Sequence, residues 1–230
     1  EYSLKQLKDN RKPCSEGKTR RISIMQLYKH YKKSQLFLLS IMLLLNGCGT
    51  TPPSKFYTLE AMSGSETTQT TTEKQSNLHI GIGPVQFAEY LQRSQIVTRT
   101  NSAEVSLAET HRWAEPLNNN FSRILAENLS ILIGTDKISL HPSRNWSDID
   151  YQVVINVWQF DASKQGEVTL VANWSIRGKG GSELLTMKKS TFSTNLENTT
   201  SYTDIVRAQS KTVEMLSSEI AGVIQTELQQ

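Results

Sequence analysis

The side chains that most often do chemistry in proteins are scattered along this chain. His79, His111 and His141 lie in three different predicted elements, without the close spacing that metal sites use. Asp148 and Asp150 flank one isoleucine, but such a pair in a loop before a strand is far more often a solvated turn than a general acid and base. The nucleophile-elbow, phosphate-loop and zinc-protease motifs are absent from the sequence. We therefore expect no enzyme, no metal site and no cofactor.

Cys48 has the clearest chemical context of any residue in the chain. It follows the apolar stretch Leu36–Leu45, "LFLLSIMLLL", which is preceded by lysines and is about half of the roughly 20 residues that a membrane span needs. This order is typical of a signal peptide, and the ending "LNGC" resembles a bacterial lipobox, whose cysteine is acylated on sulfur and becomes the new N-terminus. The alternative is a buried helix with a free core cysteine. Such a helix should show polar positions at helical spacing, and this stretch has only Ser40.

The chain divides into four predicted segments. Residues 1–24 are polar, basic and begin without methionine, so we interpret them as upstream translated sequence or a misassigned start. Residues 25–47 form a lipoprotein signal peptide that begins at a methionine. Residues 48–55 are a lipid-anchored tether, and residues 56–230 are a single periplasmic domain.

The charge of the chain changes once the leader is excluded. Residues 1–47 carry ten Lys and Arg against three Asp and Glu, a net +7, which leaves 15 against 19, or −4, for residues 48–230. A mildly acidic chain gives no electrostatic reason to expect a nucleic acid partner. Cys14 is lost with the leader and Cys48 would be acylated, so the remaining chain has no disulfide and depends on its hydrophobic core.

The residues after Cys48 predict a tether, an edge strand and a loop. Pro52 and Pro53 hold the chain extended, and the alternating "KFYTL" that follows predicts an edge strand. The next 17 residues, "AMSGSETTQTTTEKQSN", have almost no apolar side chains, so they predict a flexible loop within the fold.

The rest of the chain predicts strands and two helices. Period-two alternation marks "LHIGIGPVQF", "SQIVTRT", "AEVSLAETHRW", "KISLHP", "DYQVVINVWQFDAS", "GEVTLVANWSIRGKG" and "SELLTMKKSTFSTNL" as strands, with a hairpin at "GKGG". One helix is predicted from Pro116 to a stop at Gly134, and another from a capping box at Ser201 and Asp204 to the C-terminus. We expect an α+β fold, a two-layer sandwich of a mainly antiparallel sheet with two amphipathic helices.

One segment, "GPVQFAEYLQRSQIVTRTNSAEVSLAETHRWAEPLNNNFSRILAENL", closely resembles the ABC-type transport auxiliary lipoprotein family. The resemblance extends to the lipobox, to "FYTL", and to the "WQFDAS" and "VANWSIRG" strands, and so spans nearly the whole chain after the leader. Family members usually have an aspartate and a proline near the positions of Glu89 and Ser94. The resemblance implies a non-enzymatic role.

The resemblance also implies a location and partners. Members of the family are lipid-anchored at the periplasmic face of the outer membrane of Gram-negative bacteria, and Gly49 after the cysteine, where retention in the inner membrane commonly uses aspartate, agrees with that location. They are auxiliary subunits of membrane integrity-associated transporters that contain mammalian-cell-entry (MCE) domains and move lipids across the envelope. The expected partners are an MCE-domain protein, the membrane, and further copies of the chain in a homo-oligomeric ring. The alternative is a stand-alone periplasmic carrier of lipid or another hydrophobic ligand, because a sheet with two helices could enclose an apolar pocket.

Two segments, "EYLQRS" and "THRWAEPL", combine aromatic and charged side chains of the kind that binding hot spots favour. Alternatively, Trp113 and Leu91 fill the core while Arg93 and Arg112 pair with nearby acids. Cys48 is the predicted lipidation site, and the predicted partner-contact residues are Tyr90, Leu91, Arg93, Arg112, Trp113 and Glu115.

Overall fold

A computed structural model describes residues 25, 27–37, 52–63, 77–142, 148–178, 181–196 and 201–229. The chain forms two compact units, Glu1–Thr51 and Pro52–Gln230. In the first unit, residues 27–37 are helical and exposed, and Cys48 lies outside the described residues. No helix in the described ranges has both the length and the apolar character that crossing a bilayer requires.

The second unit contains eight strands and two long helices in its described part. A short 3-10 turn, Glu89–Leu91, lies between the second and third strands. Helix α1 spans Leu117–Ile133 and helix α2 spans Tyr202–Glu227. The strands are β1 (Lys55–Tyr57), β2 (Ile80–Phe87), β3 (Gln95–Arg99), β4 (Val105–Trp113), β5 (Ile138–Leu140), β6 (Tyr151–Ser163), β7 (Glu167–Gly178) and β8 (Glu183–Asn195).

Both helices begin and end where local sequence chemistry predicts. Helix α1 starts directly after Pro116 and stops at Gly134, which adopts the left-handed conformation (φ 76°) and donates its N–H to the carbonyl of Ser130 at 2.9 Å. Helix α2 starts at Ser201, whose hydroxyl accepts the backbone N–H of Asp204 at 3.2 Å. The predicted helices are therefore confirmed.

The strands form one mixed sheet organised around β6. One edge of β6 pairs in parallel with β2 and, near its end, with β3, while the other edge pairs antiparallel with β7. β8 adds antiparallel to β7, β4 adds antiparallel to β3, and β1 and β5 add in parallel to β4 and β2. The predicted α+β class is confirmed. The sheet is mixed, because four of the seven pairings of these strands are parallel, but the longest pairings, of β6 with β7 and of β7 with β8, are antiparallel.

The helices pack on the apolar face of the sheet. Alternate residues of β6 and β7 are buried, which is the pattern of strands with one covered face. Phe87 from β2, Phe121 from α1 and Phe160 from β6 meet edge-to-face, with ring centroids 5.3 to 6.3 Å apart. This cluster fills the space between the sheet and α1.

A glycine distorts β2 where it pairs with β6. The register shifts between Ile82 and Val85, and Gly83 between them has a φ of 114°. A Cβ atom at Gly83 would lie 2.8 Å from the Cβ of His141. Gly83 therefore combines a bulge in β2 with a close approach to His141.

The segment after β1 is tied to both helices, and the bond to α2 runs from the backbone N–H of Glu60 to the hydroxyl of Ser210 at 3.0 Å. The backbone N–H of Leu59 donates to Asn120 Oδ1 at 3.3 Å, and that of Met62 donates to Asn128 Oδ1 at 2.8 Å, both on α1. β1 itself is a sheet edge, as predicted. Residues 64–76 of the predicted loop lie outside the described part of the chain.

Candidate docking groove

A surface groove of about 800 Å³ opens where five elements begin or end close together. It lies at the end of β2, the turn Glu89–Leu91, the start of β3, the end of β4 and the first turn of α1. Its lining residues are Val85, Gln86, Phe87, Leu91, Gln92, Arg93, Ser94, Trp113, Ala114, Glu115, Pro116, Leu117 and Asn118.

The groove exists because two segments that are distant in sequence meet at its floor. The backbone N–H of Trp113 donates to the carbonyl of Ser94 at 2.7 Å, which joins the end of β4 to the chain before β3. The side-chain amide of Gln92 donates to the carbonyl of Phe87 at 2.6 Å and folds the 3-10 turn over the end of β2. These bonds bring "EYLQRS" and "HRWAEPL" together, as a shared surface would require.

Four of the six predicted contact residues line the groove. Leu91 and Trp113 are only 1% and 5% exposed, so they fill the core and present only their edges to the groove. Arg93 is exposed and Glu115 is partly exposed at the rim. The structure therefore agrees with the alternative interpretation for Leu91 and Trp113, while the charged residues remain accessible.

Of the charged residues that line the groove, Glu115 is ion-paired and Arg93 is not, among the residues that the structure describes. Glu115 accepts a hydrogen bond from Arg123 at 3.1 Å, and the same guanidinium also bonds Glu127 at 3.0 Å. The hydrogen bond that Arg123 donates to Glu115 is the main reason why the pKa of Arg123 is raised. No ion pair joins Arg93 to an acid within the described ranges.

Tyr90 and Arg112 lie outside the groove lining. Tyr90 instead belongs to a polar cluster around Asp161, a carboxylate that is 1% exposed on β6. Arg99 holds Asp161 with two hydrogen bonds, from Nε at 3.1 Å and from Nη2 at 2.8 Å. Tyr90 donates its hydroxyl to the same carboxylate at 3.0 Å. The 3-10 turn is thereby fixed to the sheet.

The Asp161 cluster shifts the ionisation of both its partners. Burial, then the charge of Asp161 and the hydrogen bond to it, raises the pKa of Tyr90 to about 12. The hydrogen bond to Asp161 also raises the pKa of Arg99. Sequence reasoning missed this cluster, although an aspartate inside the apolar strand "VWQFDAS" was a signal of a buried carboxylate that needs a partner.

His79 and the two nearby aspartates have structural contacts. The ring of His79 lies 3.0 Å from the carbonyl of Asp148 and 2.8 Å from the hydroxyl of Ser139. Its backbone N–H donates to the carboxylate of Asp150 at 2.8 Å. In the described part of the chain, no group of three or more His, Cys, Asp and Glu side chains is placed to hold a metal ion.

His111 also serves to join elements. Its Nδ1 lies 2.7 Å from the hydroxyl of Tyr57 on β1, and its ring stacks on Tyr202 of α2 with centroids 3.9 Å apart. Burial, followed by the charge of Lys55, lowers the pKa of His111.

Comparison with known proteins identifies the family. The sequence model of the ABC-type transport auxiliary lipoprotein component matches residues 57–221. The chain belongs to this family. The resemblance stated from the sequence is therefore confirmed, and the groove is a feature of a transport auxiliary lipoprotein domain. No curated protein matches the chain significantly in sequence.

Solved structures show the same fold. The protein XCC0632 from Xanthomonas campestris, assigned to the DUF330 family, is similar with a TM-score of 0.62 and 14% identity over 77% of this chain and all of that chain. An uncharacterised protein has a TM-score of 0.61 and 19% identity over 75% of this chain and 99% of that one. At these identities the likeness supports the fold alone.

Proposed function

We propose that the chain is an outer-membrane lipoprotein that faces the periplasm and docks an MCE-domain protein of an intermembrane lipid transport system. Acylation of Cys48 supplies the anchor, and the groove supplies the docking site. The observation that carries the proposal is the meeting of "EYLQRS" and "HRWAEPL" in one groove on a domain of this family. Gly49 after the cysteine supports export to the outer membrane.

The composition of the groove suits a protein partner. Phe87, Leu91 and Trp113 give it an apolar floor, and Arg93 gives its rim an uncompensated positive charge. Binding hot spots in proteins combine buried apolar contacts with arginine in this way. The expected occupant is a segment of the partner with an apolar side chain and an acidic residue next to it.

One observation favours the carrier alternative. A volume of about 800 Å³ falls within the range of small-molecule pockets. The space between sheet and α1, where a lipid would be enclosed, is filled by Phe87, Phe121 and Phe160. A carrier would therefore have to hold its ligand in the open groove, where the polar rim leaves an acyl chain in contact with water.

A pull-down of the tagged full-length chain from cross-linked cell envelopes tests whether it docks an MCE-domain protein. The expected result is recovery of an MCE-domain protein, with Arg93→Ala reducing recovery about tenfold, as loss of a hot-spot arginine does. Arg207→Ala is the matched control, because Arg207 is an exposed arginine on α2 that does not line the groove. Lipid recovered at one molecule per chain, with no MCE-domain protein, would favour the carrier.

Palmitate labelling and fractionation test the anchor. We expect label on the wild-type chain and recovery in the outer-membrane fraction, whereas Cys48→Ser should carry no label and appear in the periplasm. Wild-type chain without label, confined to the soluble fraction, would contradict the proposed anchor and location.

A further inference from the structure

Phe56 is an exposed aromatic residue on the edge strand β1. It is 66% exposed, and its neighbour Lys55 is exposed as well. Pairing with β4 places Phe56 opposite Arg112, and β4 is the only described strand that pairs with β1. Successive side chains of a strand point to opposite faces, so this edge carries the apolar ring of Phe56 and the cation of Arg112 on one face and the cation of Lys55 on the other.

The charge of Arg112 is not neutralised by the rest of the described domain. Its Nε atom is buried and has no hydrogen-bond partner among the described residues. No ion pair joins Arg112 to an acid in the described ranges either. A negatively charged ligand at the β1 edge would therefore meet an arginine that is not already paired.

The length of chain before β1 limits how far this edge can lie from the lipid anchor. Seven peptide steps separate Cys48 from Lys55, and at about 3.6 Å per step they reach no more than about 25 Å. Strand β6, with 13 residues at about 3.3 Å each, is itself about 43 Å long. An acylated Cys48 would therefore hold the start of β1 within about 25 Å of the lipid anchor.

We propose that the β1 edge is a membrane-contact surface, with Phe56 inserted among the lipid headgroups and Lys55 and Arg112 against anionic headgroups. The inference rests on the proposed acylation of Cys48. Aromatic side chains favour the membrane interface, and each cation near an anionic surface strengthens binding about fivefold.

A bilayer fits this edge better than a protein does. One aromatic ring and two cations are far less than the roughly 800 Å² per partner that a stable protein interface buries. The short tether, by contrast, holds β1 at an effective concentration in the millimolar range, at which even a weak contact is populated. The contact would orient the domain on the membrane rather than anchor it.

A fluorescent reporter beside Phe56 tests the contact. The acylated chain, from which Cys14 has been removed with the leader and in which Cys48 carries the lipid, receives Ser54→Cys as its one free thiol. This thiol is labelled with an environment-sensitive dye, and the protein is placed in mixed vesicles of phosphatidylethanolamine and phosphatidylglycerol that contain a nitroxide lipid. We expect the lipid to quench the dye, and Phe56→Ala to reduce the quenching severalfold. Omission of phosphatidylglycerol should reduce it about fivefold for each cation.

Trp158→Ala is the matched control, because Trp158 is 60% exposed but lies on β6, far along the chain from the tether. It should leave the quenching of the dye at Ser54→Cys unchanged.

Two results would overturn the membrane contact while leaving the lipoprotein proposal intact. These are equal effects of Phe56→Ala and Trp158→Ala on the quenching, or no effect of Phe56→Ala. If the wild-type chain carries no palmitate and is absent from membranes, both the membrane contact and the lipoprotein proposal are overturned. Because Phe56 and Trp158 are exposed, neither change should prevent folding, and circular dichroism of each variant checks this.

Discussion

Asp161 joins side chains from three separate parts of the chain. Its carboxylate accepts hydrogen bonds from Arg99 on β3, from Tyr90 in the 3-10 turn, and from Gln159 on its own strand at 3.0 Å. A buried carboxylate is stable only when its charge is compensated in this way. Since the turn also carries Leu91, the cluster keeps one wall of the docking groove in place.

The shifted pKa of Tyr90 predicts a stability change at high pH. A group whose pKa is higher in the folded state, here about 12 against an ordinary 10.0, stabilises the fold fully below its unfolded pKa. That contribution is lost as the pH rises from about 10 to 12, because the unfolded chain releases the proton first. Tyr90→Phe should therefore lose stability less steeply than wild type over this range. Urea unfolding midpoints measure the difference, and parallel curves for the two proteins would contradict the prediction.

Elements were predictable from sequence, but their pairing was not. Apolar periodicity and caps such as Ser201 and Gly134 are local signals, and they gave all the main helices and strands. The parallel pairings of β1 with β4 and of β2 with β6 join residues far apart in sequence, which no local pattern reports. The same limit applies to the groove. Its two segments were recognisable, but the burial of Trp113 depends on tertiary packing.

At the level of elements, Gly83 should be needed for the shape of β2. Gly83→Ala places a Cβ atom 2.8 Å from His141 at a φ of 114°, so we expect a loss of about 1–3 kcal/mol in the free energy of unfolding. Gly222→Ala is the control. Nothing lies within 4 Å of its added Cβ in helix α2, so that change should stabilise by about 0.5–1 kcal/mol. Chemical denaturation of both variants makes the comparison, and equal effects would argue against strain at Gly83.

Trp113 at the end of β4 should contribute mainly to stability, whereas Arg93 in the chain before β3 should contribute mainly to partner binding. Trp113→Ala removes a side chain that is 5% exposed and should cost about 3–5 kcal/mol of stability. Arg93→Ala changes an exposed residue and should stay within about 0.5 kcal/mol while weakening partner recovery. Thermal unfolding of the two variants measures this difference in stability. A large loss of stability in Arg93→Ala would contradict the prediction that Arg93 acts on binding alone.

For the whole molecule, the core of Pro52–Gln230 should be sufficient for folding without the anchor. Residues 48–230 with Cys48→Ser should be soluble, as a monomer or a ring, and should unfold cooperatively, because the sheet and both helices lie within this unit. Light scattering gives the oligomeric state, and denaturant unfolding followed by circular dichroism gives the cooperativity. An aggregated chain without a cooperative transition would contradict the single-domain interpretation.

The central position of β6 has a consequence for how the protein is made. β2 and β3 both need β6 as a neighbour, yet β6 begins at Tyr151, about 70 residues after β2 starts. Contacts between residues so far apart in sequence form slowly, because loop-closure entropy is lost before they form. A chain that leaves the inner membrane from its N-terminus onwards would hold β2 and β3 without their partner until β6 arrives. The edges of these strands would be open to mispairing during that time, so the proposed export is the stage at which we expect this protein to need a chaperone most.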